Sequence, residues 1–216
     1  MLDQRNHGRS PHHAVMTYDS LSEDCYEFLT DHRLKQIHLI GHSMGGKTAM
    51  YFAAEYPHRV KSLVVLDISP KAYPVSHERM IDTLLTLNPA EIHSRKEADN
   101  LLAQTIARRD LRQFLLKNLQ WHESGHFSWR LNLPVIAENI KEISSNVMPD
   151  KKYNGPVLFI RGEKSDYILP DDIAVIKYYF PDSSIQTIAG ASHWLHAEKP
   201  EEVYTAISTF FGCRRQ

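Results

Sequence analysis

The chain has 216 residues, 42% of them apolar, enough for one domain with a sizeable core and an inserted subdomain. Its formal charge of −1 marks neither a nucleic-acid-binding surface nor an acidic tail. No apolar run approaches the roughly 18 residues of a membrane span, and no basic-plus-apolar leader opens the chain.

Met1 to Pro11 is polar and ends in a loop. Thr17 suits the N-cap of a helix with Leu21, Cys25, Phe28 and Leu29 on one face, and Asp19 sits in its first turn, where the helix dipole favours an anion. A strand is predicted over 36–41, then a small-residue helix that Pro57 stops. Residues 60–67 form a second, nearly continuous apolar strand, followed by Ile68-Ser69-Pro70. Residues 71–150 are charged and helical in period, with apolar groups around Leu84, Leu102, Leu115 and Ile136, and read as three or four inserted helices. A strand over 156–160, a helix over 173–180, a strand over 184–189 and a helix opened by Pro200 complete the pattern. Continuous apolar strands separated by helices indicate an α/β protein whose parallel sheet is covered on both faces. The sheet domain is assigned to 1–70 and 151–216, and the helical insertion to 71–150. Cys25 and Cys213 are far apart, fit no metal spacing, and read as reduced thiols of a cytoplasmic protein. Arg214-Arg215 reads as a solvated terminus.

The strand over 36–41 runs into Gly41-His42-Ser43-Met44-Gly45, a G-x-S-x-G nucleophile elbow. The serine occupies a sharp strand-to-helix turn that the flanking glycines make room for. Its hydroxyl is aimed above the sheet, where the following helix points N–H groups. Nucleophilic ester cleavage also needs a base and an acid that orients it, in the chain order Ser, Asp or Glu, His. His193 is the candidate base, in a loop after the last strand beside Gly190, Ala191 and Ser192.

The sequence resembles the α/β-hydrolases with a serine nucleophile, and within them the YbfF-like esterases and their mitochondrial relatives. The resemblance rests on Asp3-x-Arg5-Asn6-His7-Gly8-Arg9-Ser10, Gly41-His42-Ser43-Met44-Gly45-Gly46-Lys47, Asp67-Ile68-Ser69-Pro70 and Gly190-Ala191-Ser192-His193-Trp194-x-His196-Ala197-Glu198-Lys199-Pro200, and covers nearly the whole chain. It implies an α/β-hydrolase fold with a helical lid at 71–150, and a serine hydrolase of short- to medium-chain esters or thioesters working through an acyl-enzyme on Ser43. In many α/β-hydrolases the acid stands three residues past the glycine matching Gly162, where this chain has Ser165, with Asp166 next. In the YbfF-like subgroup it has moved to the strand end that is Asp67 here. Asp67 is favoured and Asp166 is the alternative. The Met44 N–H is the expected oxyanion donor. Trp194 and Trp129 are expected to touch substrate; Trp121 and Phe127 are further pocket candidates.

In the family, an earlier strand, a His-Gly oxyanion loop and a first helix precede the stretch where this chain begins. Asp3-Gln4-Arg5 would end the following strand, and His7-Gly8 belongs to the next loop rather than to the oxyanion site. The expectation is a sheet with its N-terminal strands missing, an apolar edge at 36–41 open to self-association, and weakened or absent activity. No cofactor, metal, nucleic acid or membrane span is expected. The same scaffold also serves carbon–carbon bond hydrolases and haloperoxidases, and a non-catalytic binding protein is the other class of reading. Dehalogenase and epoxide hydrolase are disfavoured, because those relatives have an aspartate where Ser43 stands.

Overall fold

The computed structural model describes residues 1–75 and 78–212; Cys213, Arg214 and Arg215, considered above, lie outside them. In chain order the elements are α1 (Tyr18–Asp31), β1 (Ile37–His42), α2 (Met44–Glu55), β2 (Val60–Leu66), α3 (Glu78–Thr86), α4 (Arg95–Ala103), α5 (Arg109–Leu116), β3 (Leu119–Trp121), β4 (Phe127–Trp129), α6 (Leu133–Glu138), α7 (Ile140–Ser144), β5 (Val157–Gly162), α8 (Asp172–Tyr179), β6 (Ser183–Ile188), α9 (Leu195–Glu198) and α10 (Pro200–Phe210). They fall into two compact units: Met1–Thr17 with Pro74–Ser144, and Tyr18–Tyr73 with the residues from Ser145 on.

The second unit is built on a sheet of order β1-β2-β5-β6, every neighbouring pair parallel. Both faces are covered, which is why β2 and β5 read as continuous apolar runs. Leu63 and Val65 of β2 and Phe159 of β5 face Leu21 and Leu29 of α1 and Met50 and Phe52 of α2. The alternate residues Val64, Leu66, Leu158 and Ile160 face Leu195, Val203 and Ala206. Phe159 is fully buried, so truncating it to alanine would cost about 3–5 kcal/mol. β1 is half-buried because, among the described residues, only one of its edges pairs, and Ile40 is left 45% exposed.

The first unit has its own core of Leu84, Ala98, Leu102, Leu115, Leu119 and Phe127. Arg112 is buried beside it; its Nε donates to Asp99 at 2.8 Å and its Nη1 to the carbonyls of Ile106 and Ala107 at 2.9 Å each. Residues 1–17 belong to this unit because buried Asn6 ties them to it. The Asn6 side-chain oxygen accepts from Asn132 Nδ2 at 3.0 Å, and its backbone oxygen accepts from Asn132 N at 2.9 Å.

Two details differ from the sequence expectation. The insertion contains an antiparallel hairpin, β3 with β4, as well as α3 to α7. Each hairpin strand is three residues long, too short for alternation to register against helical periodicity. Asp3-Gln4-Arg5, expected as a strand end, is loop. Asp3 instead accepts from Ser10 Oγ at 2.6 Å and from Arg9 N at 3.0 Å. Among the described residues no helix is long and apolar enough to cross a membrane.

Candidate active site

Because all four strands of the sheet run the same way, their C-terminal ends share one edge, where ligands of open α/β sheets bind. Ser43 follows β1, Asp67 follows β2, Ser165 and Tyr167 follow β5, and His193 follows β6. Ser43 holds φ 53° and ψ −121°, a strained geometry for a residue with a Cβ, and its N–H donates to Leu66 O at 3.1 Å. The bend is tight enough that a Cβ on Gly41 would lie 2.2 Å from Gly45 O, so only glycine fits there. Met44 opens α2 directly after the serine.

Asp67 is fully buried and also has positive φ, at 50°. Its Oδ1 accepts from Gly162 N at 2.8 Å. Its Oδ2 accepts from Ser165 Oγ and, at 2.8 Å, from His193 Nδ1. An ionised carboxylate can only accept, so Nδ1 carries the imidazole proton and Nε2 is left with a lone pair. Ser43 Oγ lies 3.1 Å from that Nε2 and donates to it. The result is a continuous array from Ser43 through His193 to Asp67, with two further donors fixing the carboxylate.

Several side chains brace His193. The Tyr167 ring stacks on the imidazole, centroids 3.9 Å apart and planes 21° apart. Tyr73 Oη donates to Tyr167 O at 2.6 Å, and Tyr167 N donates to Ser165 Oγ at 3.3 Å. Burial, and secondarily the Asp67 charge, push the Tyr167 phenol above its usual pKa, so it stays neutral. His42 donates its Nε2–H to His193 O at 2.9 Å. Desolvation, then the neighbouring His193, lowers its pKa to about 4. Glu198 accepts from Ser192 N at 2.7 Å and from Ser192 Oγ at 2.5 Å, holding the residue before His193. A Cβ on Gly162 would lie 2.4 Å from Ser192 O, so that glycine lets this loop close on β5. Buried Lys47 donates to Ser145 O at 2.6 Å, and its ammonium lies 5.0 Å from the Tyr73 ring centroid.

Of the residues singled out from sequence, Ser43, Met44, Asp67, His193 and Trp194 lie together. The Trp194 ring is 5.4 Å from the His193 ring, edge on. Asp166 is exposed, and the Nδ1 of His193 is taken by Asp67. Trp129 lies in the helical unit, half-buried against its core, with an indole N–H that has no hydrogen-bond partner among the described residues. Phe127 is part of that core, and Trp121 is 51% exposed. Sequence reasoning missed Ser165 as a donor to Asp67, and it missed Tyr167 and His42. Only the short spacing Gly162-x-x-Ser165-x-Tyr167 and the position of His42 beside Ser43 could have pointed to them. No group of three or more His, Cys, Asp or Glu residues suited to a metal ion occurs among the described residues.

A parallel sheet with a strained serine between strand and helix, facing a histidine held by a buried aspartate, defines an α/β hydrolase. Residues 1–89 match the alpha/beta hydrolase fold family. The chain is 40% identical to the sn-1-specific diacylglycerol lipase ABHD11 of Mus musculus, over 98% of this chain and 70% of that one. It is 33% identical to esterase YbfF of Escherichia coli strain K12, over 98% of this chain and 81% of that one. A solved structure described as a marine microorganism esterase superposes with a TM-score of 0.93 at 44% identity, covering 96% of this chain and 82% of that one. The chain belongs to the α/β-hydrolase fold family, among relatives that are esterases and lipases.

Proposed function

We propose that this protein hydrolyses carboxylic esters or thioesters of short to medium acyl chains through an acyl-enzyme on Ser43. The observation that carries the reading is the unbroken hydrogen-bonded array from Ser43 Oγ through His193 to Asp67. Ser43 Oγ attacks the acyl carbon and passes its proton to His193 Nε2. Asp67 holds the imidazole in the tautomer that can accept this proton, and stabilises the imidazolium that results. Negative charge on the former carbonyl oxygen is met by the Met44 N–H at the start of α2, where the helix dipole adds to the hydrogen bond. The intermediate collapses, and the imidazolium returns the proton to the departing alcohol or thiol. Water repeats the sequence and releases the acid. Trp194, edge-on to His193, is proposed to border the substrate.

Cytoplasmic placement is part of the proposal, supported by the free thiol of Cys25, which burial pushes up to about 11. Self-association through the unpaired edge of β1 is also part of it, supported by the 45% exposure of Ile40 on that strand. Ile40→Lys should shift any oligomer towards monomer in sedimentation, and an unchanged distribution would remove that element.

The test of the central reading is turnover of a series of p-nitrophenyl esters. Hydrolysis that Ser43→Ala abolishes supports it; hydrolysis that persists in Ser43→Ala, or none in the native chain, rejects it.

A further inference from the structure

We propose that His42 is a positioning residue: its Nε2–H, bonded to the His193 carbonyl oxygen at 2.9 Å, anchors the base's own backbone to the residue next to the nucleophile. The inference rests on the roles proposed for Ser43 and His193. His42 ends β1 and is paired in register with Leu66 of β2, so its backbone is as rigid as the sheet. His193 sits in the loop between β6 and α9, where no ladder hydrogen bonds fix the chain. The bond to Asp67 fixes one ring nitrogen of His193, and the loop closes on β5 at Ala191 and Ser192, but neither holds the backbone of His193 itself. The His42 bond to the His193 carbonyl supplies that hold.

Elsewhere in the loop Lys164 N donates to Ala191 O at 2.9 Å, and Glu163 and Glu198 accept from Gly190 N and Ser192 N, each at 2.7 Å. Both carboxylates are exposed, and water competes for them. The His42 bond is sheltered, with the ring among His193, Trp194 and His196 at centroid distances of 4.7, 5.6 and 4.5 Å. Of these anchors it is the one made to the backbone of His193 itself.

The donor must also be uncharged. A cation 4.7 Å from the His193 ring would oppose the charge His193 takes up when it accepts the Ser43 proton. The groups facing His42 are His193, His196 and Asp67, and with burial their net effect keeps its imidazole neutral near pH 7, where it can donate through Nε2.

Loss of the anchor lengthens the path from Ser43 Oγ to His193 Nε2 and so affects proton transfer more than substrate binding. A misplacement of about 1 Å in such a pair can cost about a hundredfold in rate. The experiment compares the native chain with His42→Phe and His42→Gln. The phenylalanine keeps a ring and removes the donor; the glutamine restores an N–H. In p-nitrophenyl ester turnover, His42→Phe should lower kcat about tenfold to a hundredfold with KM within about twofold, and His42→Gln should recover most of kcat. A native kcat in His42→Phe, or a His42→Gln as slow as His42→Phe, overturns the proposal. Nitrogen-15 NMR of the native chain at about pH 7 gives a readout that needs neither turnover nor a variant. His42 should appear as the neutral Nε2–H form, and an Nδ1–H or doubly protonated form would overturn the anchor. If turnover is absent while the Nε2–H form is present, the esterase reading fails and the anchor stands.

Discussion

Asp67 Oδ2 accepts the Nδ1 proton of His193 across 126 positions of sequence, at 2.8 Å and with the carboxylate fully buried. Parallel strands make this meeting possible, because the ends of β2 and β6 reach the same sheet edge. A buried carboxylate without partners would be costly. Asp67 has three, and the histidine is one of them.

Asp67→Asn should lower kcat by on the order of a thousandfold or more, because an amide facing Nδ1 no longer selects the tautomer that leaves Nε2 free to accept. Asp166→Asn, on an exposed side chain, should remain within about twofold of the native rate. Steady-state kinetics of the two variants decide between the acids; the reverse order would move the role to Asp166.

Ser165→Ala removes one donor from Asp67 Oδ2 but leaves Gly162 N on Oδ1. A hydrogen bond to a charged group contributes about 1.5–3 kcal/mol. If half or more of that is felt in the transition state, kcat falls about fourfold to 160-fold. Ser165→Thr, which keeps the hydroxyl, should lose less. Equal losses in both variants would show that packing, not the donor, matters at this position.

Gly162→Ala places a methyl group 2.4 Å from Ser192 O and 2.7 Å from Ala191 O. Neither backbone can yield without moving the loop that carries His193. Stability should fall by about 1–3 kcal/mol, and activity with it. A urea melt together with ester turnover checks both; full activity with a lower midpoint would show that the loop adapts without displacing His193.

The pKa of His42 is about 4 in the folded chain, against an ordinary 6.5. Above pH 6.5 folded and unfolded chains both hold this ring neutral, and it adds no pH dependence. As pH falls from 6.5 towards 4, the unfolded chain takes up a proton that the folded chain refuses, so stability falls through that window, by at most about 3.5 kcal/mol from this group. Urea melts at about pH 7 and about pH 4.5 should show a smaller acid loss in His42→Gln than in the native chain. Equal losses would contradict a neutral, buried His42.

Much of this arrangement is legible in the sequence. Ser43 has a local signature, because strand, glycine-flanked turn and helix are all written within a dozen residues. The apolar runs of β2 and β5 are legible because both faces of the sheet are covered. His193 follows from chain order and the small residues before it. Family resemblance alone separates Asp67 from Asp166 in the sequence, since a strand-end aspartate looks the same whether it caps a turn or holds a histidine. Ser165, Tyr167 and His42 act through partners about 26 to 151 positions away, and no local pattern marks such contacts. The hairpin of β3 and β4 was hidden by its three-residue strands.

The most direct test of the account is labelling by a fluorophosphonate probe, with the modified residue located by mass spectrometry. Stoichiometric phosphonylation of Ser43 is expected in the native chain, none in Ser43→Ala, and labelling slowed by on the order of a thousandfold in His193→Ala. A folded native chain that takes up no probe, or carries it on another residue, would contradict the claim that Ser43 is an activated nucleophile.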